Sequence, residues 1–192
     1  MLAELNKLAV ILMEDAMNIE QIIQNINAGI SVLMDKESNN LRRGLNELNI
    51  STHLAFYLKP YFSDYDVDPE YNGDIDKPND RKALHIAKNR ILEIGRKTNM
   101  KDNYKLSPDI IIHKRTTNAN NLVIIEVKKD IHPQCDKDYD LIKLEHLTID
   151  YSGNHYNYRL GVAIVFGTKE NTGNYEITFF QNGTETQQNK LI

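Results

Sequence analysis

Apolar residues recur every three or four positions over the first third of the chain, which is the spacing of one face of an α-helix. Within residues 1–40 this spacing predicts one or two amphipathic helices, with a break at residues 14–18 or at Gly29. Such an N-terminal helical segment packs either on the main domain or on a second copy of the chain. The apolar residues at this spacing are Leu2, Leu5, Leu8, Leu12, Ile19, Ile22, Ile26, Ile30 and Leu33.

A second helical pattern covers residues 41–58. Residues 38–40 offer Ser and Asn side chains that can cap its start, and Pro60 stops it. The pattern predicts a single helix with Glu47 in its middle. Its apolar positions are Leu45, Leu48, Ala55 and Leu58.

Short β-branched runs follow, which predict strands rather than helices. A helical pattern over residues 136–149 lies between the third and the fourth of these runs. The order predicts an α/β domain over residues 41–192, with a mixed central sheet of four to five strands flanked by helices. The polar tail after Gln181 is expected to fray. The predicted strands are residues 65–71, 109–114, 122–128 and 159–166, with a weaker one at 175–180.

Charge is unevenly distributed along the chain. The sequence has 23 basic and 27 acidic residues, a formal net charge of −4, which excludes a polycation that coats nucleic acid. Residues 77–101 instead carry eight Lys or Arg against Asp80 and Glu93. This insertion is predicted to hold a helix whose basic face either docks on DNA phosphates or merely balances acidic neighbours. The basic face consists of Arg81, Lys82, Lys88 and Arg90.

The single cysteine, Cys135, excludes an intramolecular disulfide and fits a reducing, cytoplasmic environment. His132 lies three residues before it, but no second pair completes a tetrahedral site for a soft metal. No run of about 18 apolar residues occurs, so no membrane span is expected. The tyrosines of residues 151–158 either stack on nucleic-acid bases or pack within the fold.

Two acidic residues fall on neighbouring predicted strands. The polar residues 116–120 predict the turn of a β-hairpin. With the turn centred in this stretch, Asp109 lies across from Glu126 to within one residue of register. Because side chains alternate along a strand, Glu126 and Lys128 share a face while Val127 points into the core. The sequence therefore predicts a cluster of two carboxylates and one ammonium group.

Two carboxylates this close repel each other unless a cation neutralises them. Mg²⁺ suits such a site because it takes oxygen ligands and is usually held by one or two protein carboxylates with waters and phosphate oxygens. A metal-bound water oriented by a lysine can hydrolyse a phosphodiester. The alternative is structural: Glu126 and Lys128 form an exposed ion pair at the strand end, and Asp109 follows Pro108 in a turn.

At these residues the chain resembles the PD-(D/E)XK nuclease superfamily, which has the restriction-endonuclease-like fold. The motif consists of Pro108-Asp109 and Glu126-Val127-Lys128, with the two acidic residues 17 positions apart. The resemblance covers about residues 41–180, where the order of predicted helices and strands follows the core of the family.

The resemblance implies roles for five residues. Asp109, Glu126 and the backbone carbonyl of Val127 hold Mg²⁺, for which Mn²⁺ can substitute. Lys128 positions or activates the attacking water. Glu47 takes the place of the acidic residue that the first helix of the family lends to the metal site. DNA is the expected substrate, cleaved by metal-activated water.

Three further residues have two interpretations each. Glu70 is either another acid on the metal side or a solvated strand residue. His113 either approaches the substrate or is a hydrogen-bonded histidine of the sheet. Lys143 either contacts phosphate or forms a surface ion pair with Asp140 or Glu145.

A protein that keeps this fold without catalysis is the alternative to a nuclease. Such a module would bind a protein or a nucleic acid, with the N-terminal helices as its interface. The same helices are the expected contact of a homodimer, because cutting both DNA strands often uses two copies of a nuclease.

Overall fold

The computed structural model describes residues 17–71, 73, 83–85, 93, 103–105, 107–115, 117–149 and 156–186. The predictions made for residues 1–16 lie outside these ranges. The same holds for the four basic side chains of the predicted DNA-docking face, which are Arg81, Lys82, Lys88 and Arg90.

The described residues form a six-stranded sheet with helices packed on it, which confirms the α/β class. The helices are α1 (Ile19–Lys36), α2 (Ser38–Arg43), α3 (Glu47–Leu58) and α4 (Gln134–Thr148), with short 3₁₀ turns at Lys59–Tyr61 and Lys169–Asn171. The strands are β1 (Asp66–Pro69), β2 (Ala83–His85), β3 (Asn103–Lys105), β4 (Ile110–His113), β5 (Val123–Lys129), β6 (Leu160–Phe166), β7 (Tyr175–Gln181) and β8 (Thr184–Thr186).

Within the described ranges, six strands form one mixed sheet in the order β1-β4-β5-β6-β7-β8. Strands β5 and β6 are parallel and are joined through α4, whereas the other neighbouring pairs are antiparallel. The sheet therefore has more strands than the four to five that we predicted. The prediction missed β8, because Gly183 adopts a φ of 71° that lets the chain turn back on β7 where we expected a frayed tail.

Helices cover both faces of this sheet. On one face, α1 and α3 pack against the alternate strand residues Ile110, Val123 and Ile125 in a single hydrophobic cluster. On the opposite face, α4 packs against Ile111 and Ile124. The N-terminal helix α1 is thus part of the domain core.

Close packing fixes the position of α3 against α1. Helix α1 begins after Asn18, whose side chain caps it, and runs unbroken through Gly29. A Cβ atom at Gly29 would lie 2.5 Å from Leu58 Cδ2, so a larger residue would require the buried Leu58 side chain to shift. The predicted break at Gly29 is wrong, because α1 continues through this residue. The alternative break at residues 14–18 directly precedes α1, and the helix predicted before it lies outside the described residues.

The predicted helix over residues 41–58 is in fact two helices. Gly44 ends α2 in the left-handed conformation, with a φ of 68°. Asn46 then caps α3 by accepting a hydrogen bond at 2.9 Å from the backbone N–H of Asn49. Glu47 is therefore the first residue of a helix, whereas the sequence pattern placed it in the middle.

Part of the basic insertion also differs from its prediction. Residues 83–85 form β2, which pairs antiparallel with β3 outside the main sheet. A continuous helix through this stretch is therefore wrong. None of the helices in the described residues is long and apolar enough to span a membrane.

Candidate active site

The β4–β5 hairpin has the register expected from the sequence. Ile110 pairs with Ile125, and Ile112 pairs with Val123. The same offset, continued by one residue, brings Asp109 opposite Glu126. Asp109 Oδ2 accepts a hydrogen bond of 2.6 Å from the backbone N–H of Val127, which holds the carboxylate against β5.

Because side chains alternate along β5, those of Glu126 and Lys128 point toward α4. Val127 is fully buried in the cluster that faces α1 and α3. Glu126 has the parity of Ile124, which faces α4, and its side chain meets Lys143 of that helix. The predicted sharing of a face by Glu126 and Lys128 agrees with their contacts, since both reach residues of α4.

Helix α4 contributes two charged residues one turn apart. Lys143 Nζ lies 2.9 Å from Glu126 Oε2 and 2.7 Å from Asp140 Oδ1. Asp140 Oδ2 lies 2.8 Å from Lys128 Nζ. Asp140 thus bridges the two lysines, and all four side chains form one chain of alternating charge.

The first turn of α3 extends this chain of charges. Glu47 Oε1 accepts a hydrogen bond of 2.9 Å from Lys128 Nζ, and Glu47 Oε2 lies 3.0 Å from His132 Nδ1. Lys128 also donates to its neighbour's carbonyl, Val127 O, at 3.2 Å. We call this set the site cluster; its members are Asp109, Glu126, Lys128, Asp140, Lys143 and Glu47.

Burial shifts the pKa values of both motif carboxylates upward. Desolvation raises the pKa of Asp109 to about 6, although Lys128 and the hydrogen bond from Val127 oppose the shift. Glu126 is 2% exposed, and desolvation raises its pKa well above the usual value, with Asp140 and Asp109 adding repulsion. Burial thus disfavours the charged form of both acids in the absence of a bound cation.

The two lysines show the reverse pattern. Burial alone lowers the pKa of each, but nearby carboxylates more than offset it: Asp140 and Asp109 for Lys128, and Glu126 and Asp140 for Lys143. The net pKa of both lysines is raised. Both therefore carry an ammonium group at neutral pH.

The donor set of the site cluster fits a hard divalent cation. Its four carboxylates outnumber its two ammonium groups, and Glu126 Oε1 is a buried oxygen that has no hydrogen-bond partner among the described residues. In the described part of the chain, no three Asp, Glu, His or Cys side chains form a ready-made metal cage. A cation would rely on Asp109, Glu126 and the Val127 carbonyl, completed by water, as Mg²⁺ sites commonly do.

An open cleft of about 540 Å³ gives access to these groups. The motif residues Asp109, Glu126 and Lys128 line it together with Glu47 and Lys143. The remaining lining residues are Asn46, Ser107, Lys129, His132, Asp136, Tyr139 and Asp140. The cleft therefore connects these carboxylates with solvent.

The structure pairs Lys143 with Asp140 at 2.7 Å, as one interpretation of the sequence expected, and also with Glu126 at 2.9 Å. The side chain is 11% exposed and lines the cleft, so this pair does not lie on the surface, whereas a contact of Lys143 with phosphate stays a prediction. Asp140 and His132 were missed as members of the site. The spacing of one helical turn indicates that Asp140 and Lys143 lie on the same side of α4. Whether this side faces the sheet depends on how α4 packs, which the spacing does not predict.

Neither His113 nor Glu70, both within the described residues, lines the cleft. His113 Nε2 lies 3.1 Å from Asp68 Oδ2, as in its interpretation as a hydrogen-bonded histidine of the sheet. Arg115 also binds Asp68, donating from Nε at 2.8 Å and from Nη2. We call Asp68, His113 and Arg115 the Asp68 cluster. Glu70 has an exposed side chain with a φ of 55°, and its backbone N–H donates to Asp109 O.

Two minor predictions also have an outcome. Tyr156 and Tyr158 are 3% and 1% exposed and pack beside α4, so these two rings are unavailable for stacking on bases. His132 contacts Glu47, and within the described chain it joins no metal-ligand group with Cys135.

Comparison of this chain with models of protein families, with curated proteins and with solved structures finds no match.

Proposed function

We propose that the protein is a metal-dependent nuclease of the PD-(D/E)XK type that hydrolyses phosphodiester bonds in DNA. The observation that carries the proposal is the convergence of Asp109, Glu126 and Lys128 at one cleft, with an orphaned carboxylate oxygen on Glu126. The mixed sheet, preceded by α3 and crossed by α4, supports a restriction-endonuclease-like arrangement of this domain.

Asp109, Glu126 and the Val127 carbonyl are the proposed holders of Mg²⁺, or of Mn²⁺ in its place. When bound, the cation would supply positive charge to a phosphate oxygen and lower the pKa of a coordinated water. The hydrogen bond from Val127 N–H fixes one oxygen of Asp109 and leaves the other for a ligand. Because both acids are desolvated, they attract a cation more strongly than exposed carboxylates do.

Lys128 is assigned to positioning and charge stabilisation. Its raised pKa means that it remains an ammonium group, which donates hydrogen bonds and cannot accept a proton from water. Glu47 and Asp140 hold it from two sides at 2.9 and 2.8 Å. Glu47 thus acts on the reaction through Lys128, and preorganised charge of this kind stabilises a developing phosphate anion.

Cleavage of DNA by the purified protein tests the proposal. Supercoiled plasmid, linear duplex and single-stranded DNA are incubated with Mg²⁺ or Mn²⁺ at low and moderate salt, beside Asp109→Ala and Lys128→Ala. We expect cleavage by the wild type alone. The matched control is Lys137→Ala on α4, because Lys137 donates to the Asp130 carbonyl and lies outside the site cluster.

A non-catalytic binding module is the second candidate. Phe56 and Leu48 on α3 are 70% and 48% exposed, and their spacing of eight residues puts them on one side of the helix. Such a surface favours a protein partner, including a second copy of the chain. This candidate predicts no cleavage and no rise in melting temperature with metal, whereas a nuclease site gains stability by mass action.

A further inference from the structure

The ammonium group of Lys143 forms an ion pair with Glu126, one of the two acids that would hold the cation. The motif of the family does not include this lysine. Its ammonium lies 2.9 Å from Glu126 Oε2, and its side chain is 11% exposed. An ammonium group and a divalent cation on the same carboxylate repel each other strongly in a buried site. Lys143 therefore opposes metal binding for as long as it stays on Glu126.

The surroundings of Lys143 offer its charge another place. Asp140, one turn earlier on α4, lies 2.7 Å from Nζ, and the ring centroid of Tyr139 lies 5.3 Å from it. A carboxylate and an aromatic face both stabilise an ammonium group. Lys143 can thus release Glu126 without leaving its charge unpaired.

We propose that Lys143 is a built-in counter-ion of the site, which competes with the divalent cation for Glu126 and turns toward Asp140 when the cation binds. In the cation-free protein, Lys143 limits the repulsion between Glu126 and Asp109. With the cation in place, the displaced ammonium faces the cleft, where a DNA phosphate enters. This inference rests on the proposed function, because it assumes that the two acids hold a metal.

The test measures Mn²⁺ affinity by calorimetric titration, without DNA. Lys143→Met keeps the length of the side chain but removes its charge, and Lys143→Gln keeps a hydrogen-bond donor. We expect both variants to bind Mn²⁺ at least about tenfold more tightly than the wild type, because they remove an ammonium group that repels the cation and competes with it for Glu126. Lys137→Met is the control, because it removes the same charge from the same helix without touching Glu126.

Thermal unfolding gives a second readout should a variant fold poorly. Without metal, Lys143→Met should melt below the wild type, because Glu126 loses its paired cation. With Mn²⁺, its rise in melting temperature should exceed that of the wild type.

The outcomes separate this inference from the proposed function. Tighter binding in both Lys143 variants but not in Lys137→Met supports the competition. Unchanged or weaker binding in the Lys143 variants, or equal tightening in Lys137→Met, overturns it while leaving a metal-binding, DNA-cleaving wild type intact. A wild type that neither binds Mn²⁺ nor cleaves DNA overturns the proposed function and the inference together.

Discussion

Two buried carboxylates on neighbouring strands of this protein show opposite pKa shifts. Asp68 and Asp109 are each 8% exposed. Hydrogen bonds from Arg115 and His113 hold the pKa of Asp68 below its usual range despite burial. Desolvation instead raises the pKa of Asp109 to about 6. Their exposed fractions are the same, but more protein surrounds Asp109, so desolvation dominates its pKa shift, whereas the hydrogen bond from Arg115 dominates that of Asp68.

The difference separates a structural cluster from a site. Asp68 has a guanidinium and an imidazole on its two oxygens, so its charge is neutralised within the protein. The site cluster has more carboxylates than ammonium groups and leaves Glu126 Oε1 without a partner in the described residues. A buried oxygen without a partner lowers stability, and a cation bound at the site would relieve this cost at Glu126.

The largest effect is expected from Lys128→Ala. Cleavage should fall by about 10²- to 10³-fold, because the variant removes a preorganised charge at the reacting phosphate. Rates on plasmid DNA measure this loss, with circular dichroism to confirm folding. Lys137→Ala should cleave at the wild-type rate. Full cleavage by folded Lys128→Ala would contradict the assignment of the site.

The pH dependence of stability should differ between the two aspartates. The pKa of Asp109 is higher in the folded state than the usual 3.8, so stability without metal falls as pH rises from about 4 to about 6. Since one pKa unit corresponds to about 1.4 kcal/mol, Asp109 contributes a loss of about 3 kcal/mol over this window. Urea unfolding at several pH values should show that Asp109→Asn removes this loss.

Asp68→Asn provides the opposite case. The folded pKa of Asp68 is lowered, so its stabilisation is present above pH 4 or so and disappears as pH falls through the folded pKa. At neutral pH, Asp68→Asn should therefore be less stable than the wild type. On acidification, its stability should fall by less than that of the wild type. If both variants shift stability in the same direction at neutral pH, the contrast between the clusters is wrong.

A smaller effect is expected from Arg115→Ala. Removing the guanidinium takes two charge-assisted hydrogen bonds from Asp68, but the arginine side chain is 57% exposed and water replaces part of the loss. We expect a destabilisation of about 1–2 kcal/mol in urea unfolding and little change in cleavage. Arg159→Ala, at an exposed arginine, is the control. If Arg115→Ala folds but no longer cleaves DNA, the Asp68 cluster contributes to the function of the site.

The sequence was sufficient for the hairpin that carries the motif. The centre of the polar turn predicted which residues face each other, and the alternation of side chains along a strand predicted which of them share a face. The observed pairing of Ile110 with Ile125 agrees with that prediction. The helical pattern of residues 136–149 likewise agrees with α4, which joins the parallel strands β5 and β6.

The rest of the site depends on tertiary packing, which the spacing of apolar residues does not predict. Asp140 reaches Lys128 only because α4 docks with that side toward the sheet, and its surface-like sequence gave no sign of burial at 3% exposure. Glu47 was assigned to a helix interior because apolar spacing continued across Gly44. The local signals of a break, a glycine and then an asparagine cap, were present but weaker than the pattern.

The smallest effect is expected from Asn46→Ala, at the cap of α3. Loss of its hydrogen bond to Asn49 N–H should cost about 1 kcal/mol and fray the turn that begins with Glu47. Because Glu47 holds Lys128 at 2.9 Å, the rate of cleavage should fall by about two- to fivefold.

Asn18→Ala removes an equivalent cap from α1, where the side chain accepts from Gln21 N–H at 2.8 Å, far along the chain from the motif. It should lose similar stability and keep the wild-type rate. Equal loss of cleavage in both cap variants would show that the rate follows overall stability, so that placement of Glu47 by α3 contributes nothing of its own.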